Sequence, residues 1–146
     1  MNIMYFHQLA HFFLKKNIPI IPKIIYYVQF IVFNSSVPPE VLIGKGTKAA
    51  YGGIGIVIHF RAKIGCDCLV GQGVTIGGRS KMNDVPVIGD RVYIGAGARI
   101  LGNVLIGDDV VIGANSVVIH DIPSKTVVVG APARVIKSDI EPSDFF

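Results

Sequence analysis

Four histidines, His7, His11, His59 and His120, are the side chains best suited to move a proton near neutral pH, where an unperturbed imidazole titrates. His7 and His11 stand one helical turn apart in a basic, apolar segment and read as helix-surface or packing residues. His120 precedes Asp121 and reads as a solvated corner. A three-histidine zinc site would need a close histidine pair plus a third ligand, and only His59 and His120 fall in the later part of the chain, so no metal is expected. Cys66 and Cys68 sit one residue apart, which matches neither a CxxC pair nor the spread of bridges in a small secreted scaffold; reduced thiols in a cytoplasmic protein are expected. His59 is left as the candidate proton acceptor.

What must position His59 is a repeat. Ile58, Ile64, Val70, Ile76, Met82, Ile88, Ile94, Ile100, Ile106, Ile112 and Val118 recur every six residues and are all apolar. The next residue is glycine at 65, 71, 77, 89, 95, 107 and 113. The residue four after each apolar one is mostly small or branched: Ala62, Cys68, Val74, Val92, Ala98, Val104, Val110 and Ser116. A period of six is neither 3.6 nor 2.0. It predicts a short strand plus a corner, three to a triangular coil of eighteen, with successive coils stacked as parallel strands around an apolar column. The corner glycines are expected to supply positive φ. His59 takes a glycine's corner place and should point outward, and counting coil by coil puts Gly77, Gly95 and Gly113 on its edge if the coils are regular. Two whole hexads fit between Ile76 and Ile88, so the polar stretch 78–84 need not be an extruded loop, although a bulge there is open.

Before the repeat lies a different kind of segment. Residues 1–36 contain no acidic residue, and only Lys15, Lys16 and Lys23 carry side-chain charge in them. Tyr5, Phe6, Leu9, Ala10, Phe12 and Phe13 predict an amphipathic helix ending near Asn17; Pro19 and Pro22 break it, and a second helix is expected from Ile24 to Val32. The apolar stretch over 18–33 is interrupted by Pro22, Lys23 and Gln29 and is short of the roughly 20 residues a membrane span needs. Packing on the repeat or on another subunit is the plainer reading, with peripheral contact at an anionic membrane as the other. The whole chain of 146 residues suits one ordinary domain, 51% hydrophobic and 16% charged, too apolar to be disordered. Its net charge of +4 is scattered, which suits small anions better than nucleic acid.

The series "GIVIH" at 55–59, "GQGVTIGGRS" at 71–80, "PVIGDRVYIGAGARILG" at 86–102, "IGDDVVIGANSVV" at 106–118 and "VVGAPARVI" at 128–136 resembles the hexapeptide-repeat acyltransferases. The likeness is closer to the serine acetyltransferase-like branch that includes sugar O-acetyltransferases. It implies an all-β fold, a left-handed parallel β-helix over 37–136, after a helical segment at 1–36 and before a tail at 137–146. It also implies a homotrimer with acetyl-CoA as donor and active sites between adjacent prisms. Acyl transfer from a thioester to a hydroxyl needs a base, a hydrogen-bond donor for the oxyanion and a groove for the donor's arm. The resemblance assigns the base to His59 and the donor contacts to Gly77, Gly78, Gly95, Ala96, Gly113 and Ala114. Arg134 and Lys137 would meet the nucleotide phosphates. Tyr51, Arg79 and Asp84 are the candidate acceptor contacts. Serine acetyltransferases resemble "DHxxGIV" near 51–57, with the histidine three positions before the glycine, and carry a histidine before the proline of the next hexad; here Tyr51 and Gly52 stand for the Asp-His pair and Val85 precedes Pro86. A sugar hydroxyl in polysaccharide or glycan synthesis is therefore the expected acceptor. N-acetylation of a nucleotide-linked amino sugar, serine O-acetylation and a non-catalytic trimeric scaffold are the alternatives.

Overall fold

The computed structural model describes residues 1–145; Phe146, the last residue of the expected tail, lies outside the described residues. Two helices, α1 (Ile3–Lys15) and α2 (Ile20–Phe33), precede a coil of two- and three-residue strands. Asn2 caps α1: its side-chain oxygen accepts from the Met4 N–H at 3.1 Å, and its amide donates to the Ala49 carbonyl at 2.7 Å, tying the helix to the first coil. The second helix starts four residues earlier than expected. Pro22 does not break it, because in the first turn of a helix a proline's missing N–H would have had no partner.

The strands form three faces. The first holds Leu42–Ile43, Lys63–Ile64, Val87–Ile88 and Leu105–Ile106, in parallel register. The second stacks Lys48–Ala49, Leu69–Val70, Tyr93–Ile94 and Val111–Ile112, and ends in the antiparallel pair Thr126–Gly130 and Ala133–Ser138. The third stacks Val57–Ile58, Thr75–Gly77, Arg99–Leu101 and Val117–Val118. The result is a left-handed β-helix of about four turns. Its axis is a column of isoleucine and valine: Ile58, Ile76, Ile100 and Val118 on one face and Val70, Ile94, Ile112 and Val128 on another are all at most 2% exposed. The small residues four places on, from Ala62 to Ser116, are buried as the period requires. Each fully buried aliphatic side chain contributes about 1.5–3 kcal/mol.

Two insertions interrupt the period. Leu42 pairs with Lys63, Lys63 with Val87 and Val87 with Leu105, so the first two coils exceed eighteen residues and the third does not. The first insertion is the turn Ala50–Gly53 between the second and third faces. The second falls between Gly77 and Val87, where a single side of the prism is spanned by chain enough for two. The stretch 78–84 is therefore an extruded loop, and Met82 is half exposed instead of filling the core, since its six-residue place belongs to the insertion.

The corner glycines have a different reason from the one expected. None of Gly65, Gly71, Gly77, Gly89, Gly95, Gly107 and Gly113 has a positive φ; the left-handed residue lies two places later, at Asp67, Gly73, Arg91, Gly97, Asp109 and Asn115. What excludes a side chain at the glycine is the next coil. A Cβ on Gly65 would lie 2.4 Å from the Gly89 carbonyl oxygen, one on Gly71 2.6 Å from the Ala96 nitrogen, and one on Gly95 2.5 Å from the Ala114 nitrogen. At these corners consecutive backbones stack too closely for any L side chain.

Candidate active site

The three faces meet in three edges. Gly44, Gly65, Gly89 and Gly107 line the first, and Gly71, Gly95 and Gly113 line the second. The third carries His59, Gly77 and Leu101, because Ile58 pairs with Ile76 and Gly77 with Leu101. The insertion after Gly77 displaces the count by one side. Gly95, Ala96, Gly113 and Ala114 are consequently on the second edge and not on that of His59, contrary to the regular-coil expectation. Tyr51, 80% exposed, belongs with them, since it follows the second face in the first coil. Within one chain the proposed base and most of the proposed donor contacts occupy different edges.

The third edge is open where the other two are closed. A Cβ on Gly77 would meet only the Thr75 methyl at 3.9 Å, and one on Gly78 would meet nothing within 4 Å. The coil leaves room there for a side chain that the sequence does not supply. Beside this bare backbone, His59 is half-buried, its ring stacked on Phe60 at 4.5 Å between centroids and 27° between planes. Its Nδ1 accepts from the Arg61 N–H at 3.2 Å, and its main chain is held by the Ile76 carbonyl. A neutral ring accepting at Nδ1 carries its proton on Nε2, so Nε2 is a donor as the ring stands.

The extruded loop frames the edge. The Arg61 guanidinium donates to the Asn83 carbonyl, strapping the loop to the first coil. Farther along, Met82 and Arg79 lie over Gly102, whose own N–H donates to the Gly77 carbonyl at 2.9 Å. Arg79 and Asp84 are exposed on this loop, and Val85 at its end is buried. The sequence reading missed Phe60 and Arg61, which hold His59 and the loop in place. An arginine at an outward position two residues past the histidine was the only signal for them.

On the other side of Phe60 is a cleft of about 340 Å³ between α2 and the segment before the first strand, lined by Lys23, Tyr26, Pro38, Pro39, Glu40 and Phe60. The Tyr26 hydroxyl is hydrogen-bonded to the Ser36 hydroxyl at 2.7 Å. The cleft presents one cation and one carboxylate on largely apolar walls.

The remaining titratable residues fall elsewhere. Arg134 and Lys137 are exposed on the last strand; the Arg134 guanidinium donates to the Ala133 carbonyl and the Lys137 ammonium sits 5.7 Å from the Phe145 ring. His120 is exposed at a corner. Burial pushes the Cys68 thiol above its usual range, which disfavours a thiolate nucleophile. His7 is 2% exposed, 5.8 Å from the ring of His11, and neither of its nitrogens is in hydrogen-bond geometry with a partner. Burial, and secondarily the charge of His11, lower its pKa to about 4 against a smaller opposing pull from the backbone of Val41 and Pro38. Among the described residues no three of His, Cys, Asp and Glu gather in a way that could hold a metal ion.

Comparison with known proteins agrees with the repeat. The family described as bacterial transferase hexapeptide (six repeats) matches residues 86–120. No curated protein matches the sequence significantly. Among solved structures, a serine acetyltransferase from Neisseria gonorrhoeae superimposes with a TM-score of 0.87 at 33% identity, over 97% of this chain and 55% of that one. The soybean serine acetyltransferase gives 0.84 at 36% identity, over 92% and 56%. A serine acetyltransferase solved as a complex with CoA gives 0.83 at 31% identity, over 92% and 55%. This chain thus spans little more than half the length of these relatives. With three parallel faces built from hexads and sequence likeness carried along nearly all of them, the chain belongs to the hexapeptide-repeat acyltransferases, among the serine acetyltransferase-like members.

Proposed function

We propose that this chain performs acetyl transfer from acetyl-CoA to a hydroxyl of a small acceptor, with serine as the first candidate. The observation that carries the reading is the open backbone at Gly77 and Gly78 beside His59, the one glycine corner whose bareness coil stacking does not require. A thioester with its narrow arm fits such a place. The likeness to serine acetyltransferases, one of them bound to CoA, supports donor and reaction class together. The cleft beside Phe60 supports the acceptor class: Lys23 suits a carboxylate and Glu40 an ammonium, the two charges of an amino acid.

The acceptor hydroxyl attacks the thioester carbonyl, the C–S bond breaks, and the proton passes by way of His59 to the departing thiolate. For this His59 must release the Arg61 N–H, an exposed 3.2 Å contact, to free a nitrogen as acceptor. A base so placed supplies roughly 10²–10⁴ in rate. The second-edge residues Tyr51, Gly95, Ala96, Gly113 and Ala114 join the site from a neighbouring copy, so the reading includes a homotrimer whose second and third edges face each other. A sugar acceptor is the second reading, favoured by Gly52 and Val85, which stand where the serine acetyltransferase pattern has histidines.

The test is release of free thiol from acetyl-CoA with serine and a panel of sugars and amino sugars, with the product then treated with hydroxylamine. Release with serine and cleavage of the product confirm the first reading. Release with sugars alone selects the second, and an uncleaved product selects N-acetylation. No CoA binding by calorimetry rejects catalysis in favour of a scaffold.

A further inference from the structure

The two helices bury only a stripe each and leave apolar faces outward. In α2 the inward residues are Pro22, Gln29 and Phe33, and Gln29, with its amide oriented to satisfy both ends, donates to the Val37 carbonyl at 3.1 Å and accepts from the His7 N–H at 3.2 Å. The polar residue of this helix is thus turned in. Turned out, at the spacing of one helix face, are Ile20 (68% exposed), Ile24 (55%), Tyr27 (64%) and Ile31 (82%). The outward stripe of α1 is Tyr5, Leu9 and Phe12, also exposed. A helix that is apolar on both sides needs a second apolar environment.

Charge identifies that environment. Lys15 and Lys16 end α1 at the tip where the helices join, and Lys23, one turn into α2, lines the cleft beside Phe60. No carboxylate occurs in residues 1–36. A second copy packed hairpin against hairpin would offer these lysines no acid to receive them, since residues 1–36 hold none. An anionic bilayer answers both features, since acyl chains accept the isoleucine and aromatic stripe while phosphate headgroups take the lysines. Spanning is excluded for these helices: α2 has 14 residues, about 21 Å at 1.5 Å each, and no helix among the described residues is long and apolar enough to cross a membrane.

We propose that the α1–α2 hairpin is an interfacial anchor that lies on anionic phospholipid surfaces, its tip lysines at the headgroups and its outward stripes in the acyl boundary. Lys23 and Tyr26 of α2 line the cleft beside Phe60, so docking holds that cleft close to the lipid surface.

The experiment is flotation of the full chain with phosphatidylcholine vesicles, with and without phosphatidylglycerol. Binding is expected with phosphatidylglycerol, falling steeply as salt is raised. Ile24→Asp with Ile31→Asp, both exposed and so compatible with the fold, should lower binding by roughly tenfold or more. Lys15→Glu with Lys16→Glu should do likewise for the anionic vesicles. Binding to neither vesicle, or equal binding to both, overturns the proposal. So does a fall in particle mass by light scattering for the Ile24→Asp, Ile31→Asp protein, which would assign the face to a second copy.

Discussion

The second and third edges of the prism are built from the same hexad, yet one is closed and the other open. Along the second edge, Gly71 and Gly95 are glycines because the backbone of the next coil lies about where a Cβ would go. Along the third, His59 already carries a side chain, and Gly77 and Gly78 have space they leave unfilled. The difference separates a glycine required by architecture from one that architecture does not require. Only the second kind points to a ligand.

Substitution should break this pairing most sharply at the closed edge. Gly95→Ala places a methyl 2.5 Å from the Ala114 nitrogen, with backbone on that side that cannot yield, so the protein is expected to lose cooperative folding, read by circular dichroism. Gly78→Ala is expected to change stability by no more than about 0.5 kcal/mol. Equal losses at the two positions would erase the distinction. Next in size, Ile94→Ala removes a fully buried member of the column and should cost about 2–5 kcal/mol in denaturant unfolding.

The column and the edges were legible in unequal measure. A strict period of six named the inward residues, because each has one environment and packing tolerates only apolar side chains there. The same period misplaced Gly95 and Gly113 relative to His59. Met82 is apolar and falls on the six-residue count by coincidence, so the insertion left no break in the pattern. Arg61 and Asn83, whose hydrogen bond shows that 78–84 is extruded, are far apart in sequence and carry no periodic signal. Helix α1 was expected nearly where it lies, whereas the start of α2 was missed by treating Pro22 as a breaker. The corner glycines were recognised for the wrong reason, since spacing reports that a side chain is excluded but not whether by φ or by a neighbour.

A smaller effect sharpens the contrast between the repeat and the helical hairpin. His7 stays neutral in the folded protein down to about pH 4, while an ordinary imidazole takes up its proton near 6.5. The unfolded chain therefore binds more protons between these values, and the contribution of His7, intact above pH 6.5, is lost as pH falls toward 4. Unfolding titrations should show a loss of about 2 kcal/mol between pH 7 and pH 5 that His7→Leu removes. If the acid sensitivity persists in His7→Leu, it arises elsewhere. The smallest change is expected at the first edge, where Arg91 and Asp109 form a two-point ion pair at 2.6 and 3.0 Å whose hydrogen bonds hold the Asp109 carboxyl below its usual range. The pair is at the surface, so Asp109→Asn should move the melting temperature only slightly, and less at high salt.

For His59, replacement by alanine and by glutamine separates its two chemical capacities. Loss of turnover by roughly 10²–10⁴ in both, with CoA affinity retained, identifies a base. Substantial activity in His59→Gln alone identifies the donor that Nε2 presents in the resting ring.

The most direct measurement is thiol release from acetyl-CoA by the native protein and by Gly78→Val, each with its melting temperature. The account predicts acceptor-dependent release by the native protein, and for Gly78→Val an unchanged melting temperature with turnover reduced on the order of a hundredfold. Turnover by Gly78→Val equal to that of the native protein would contradict it.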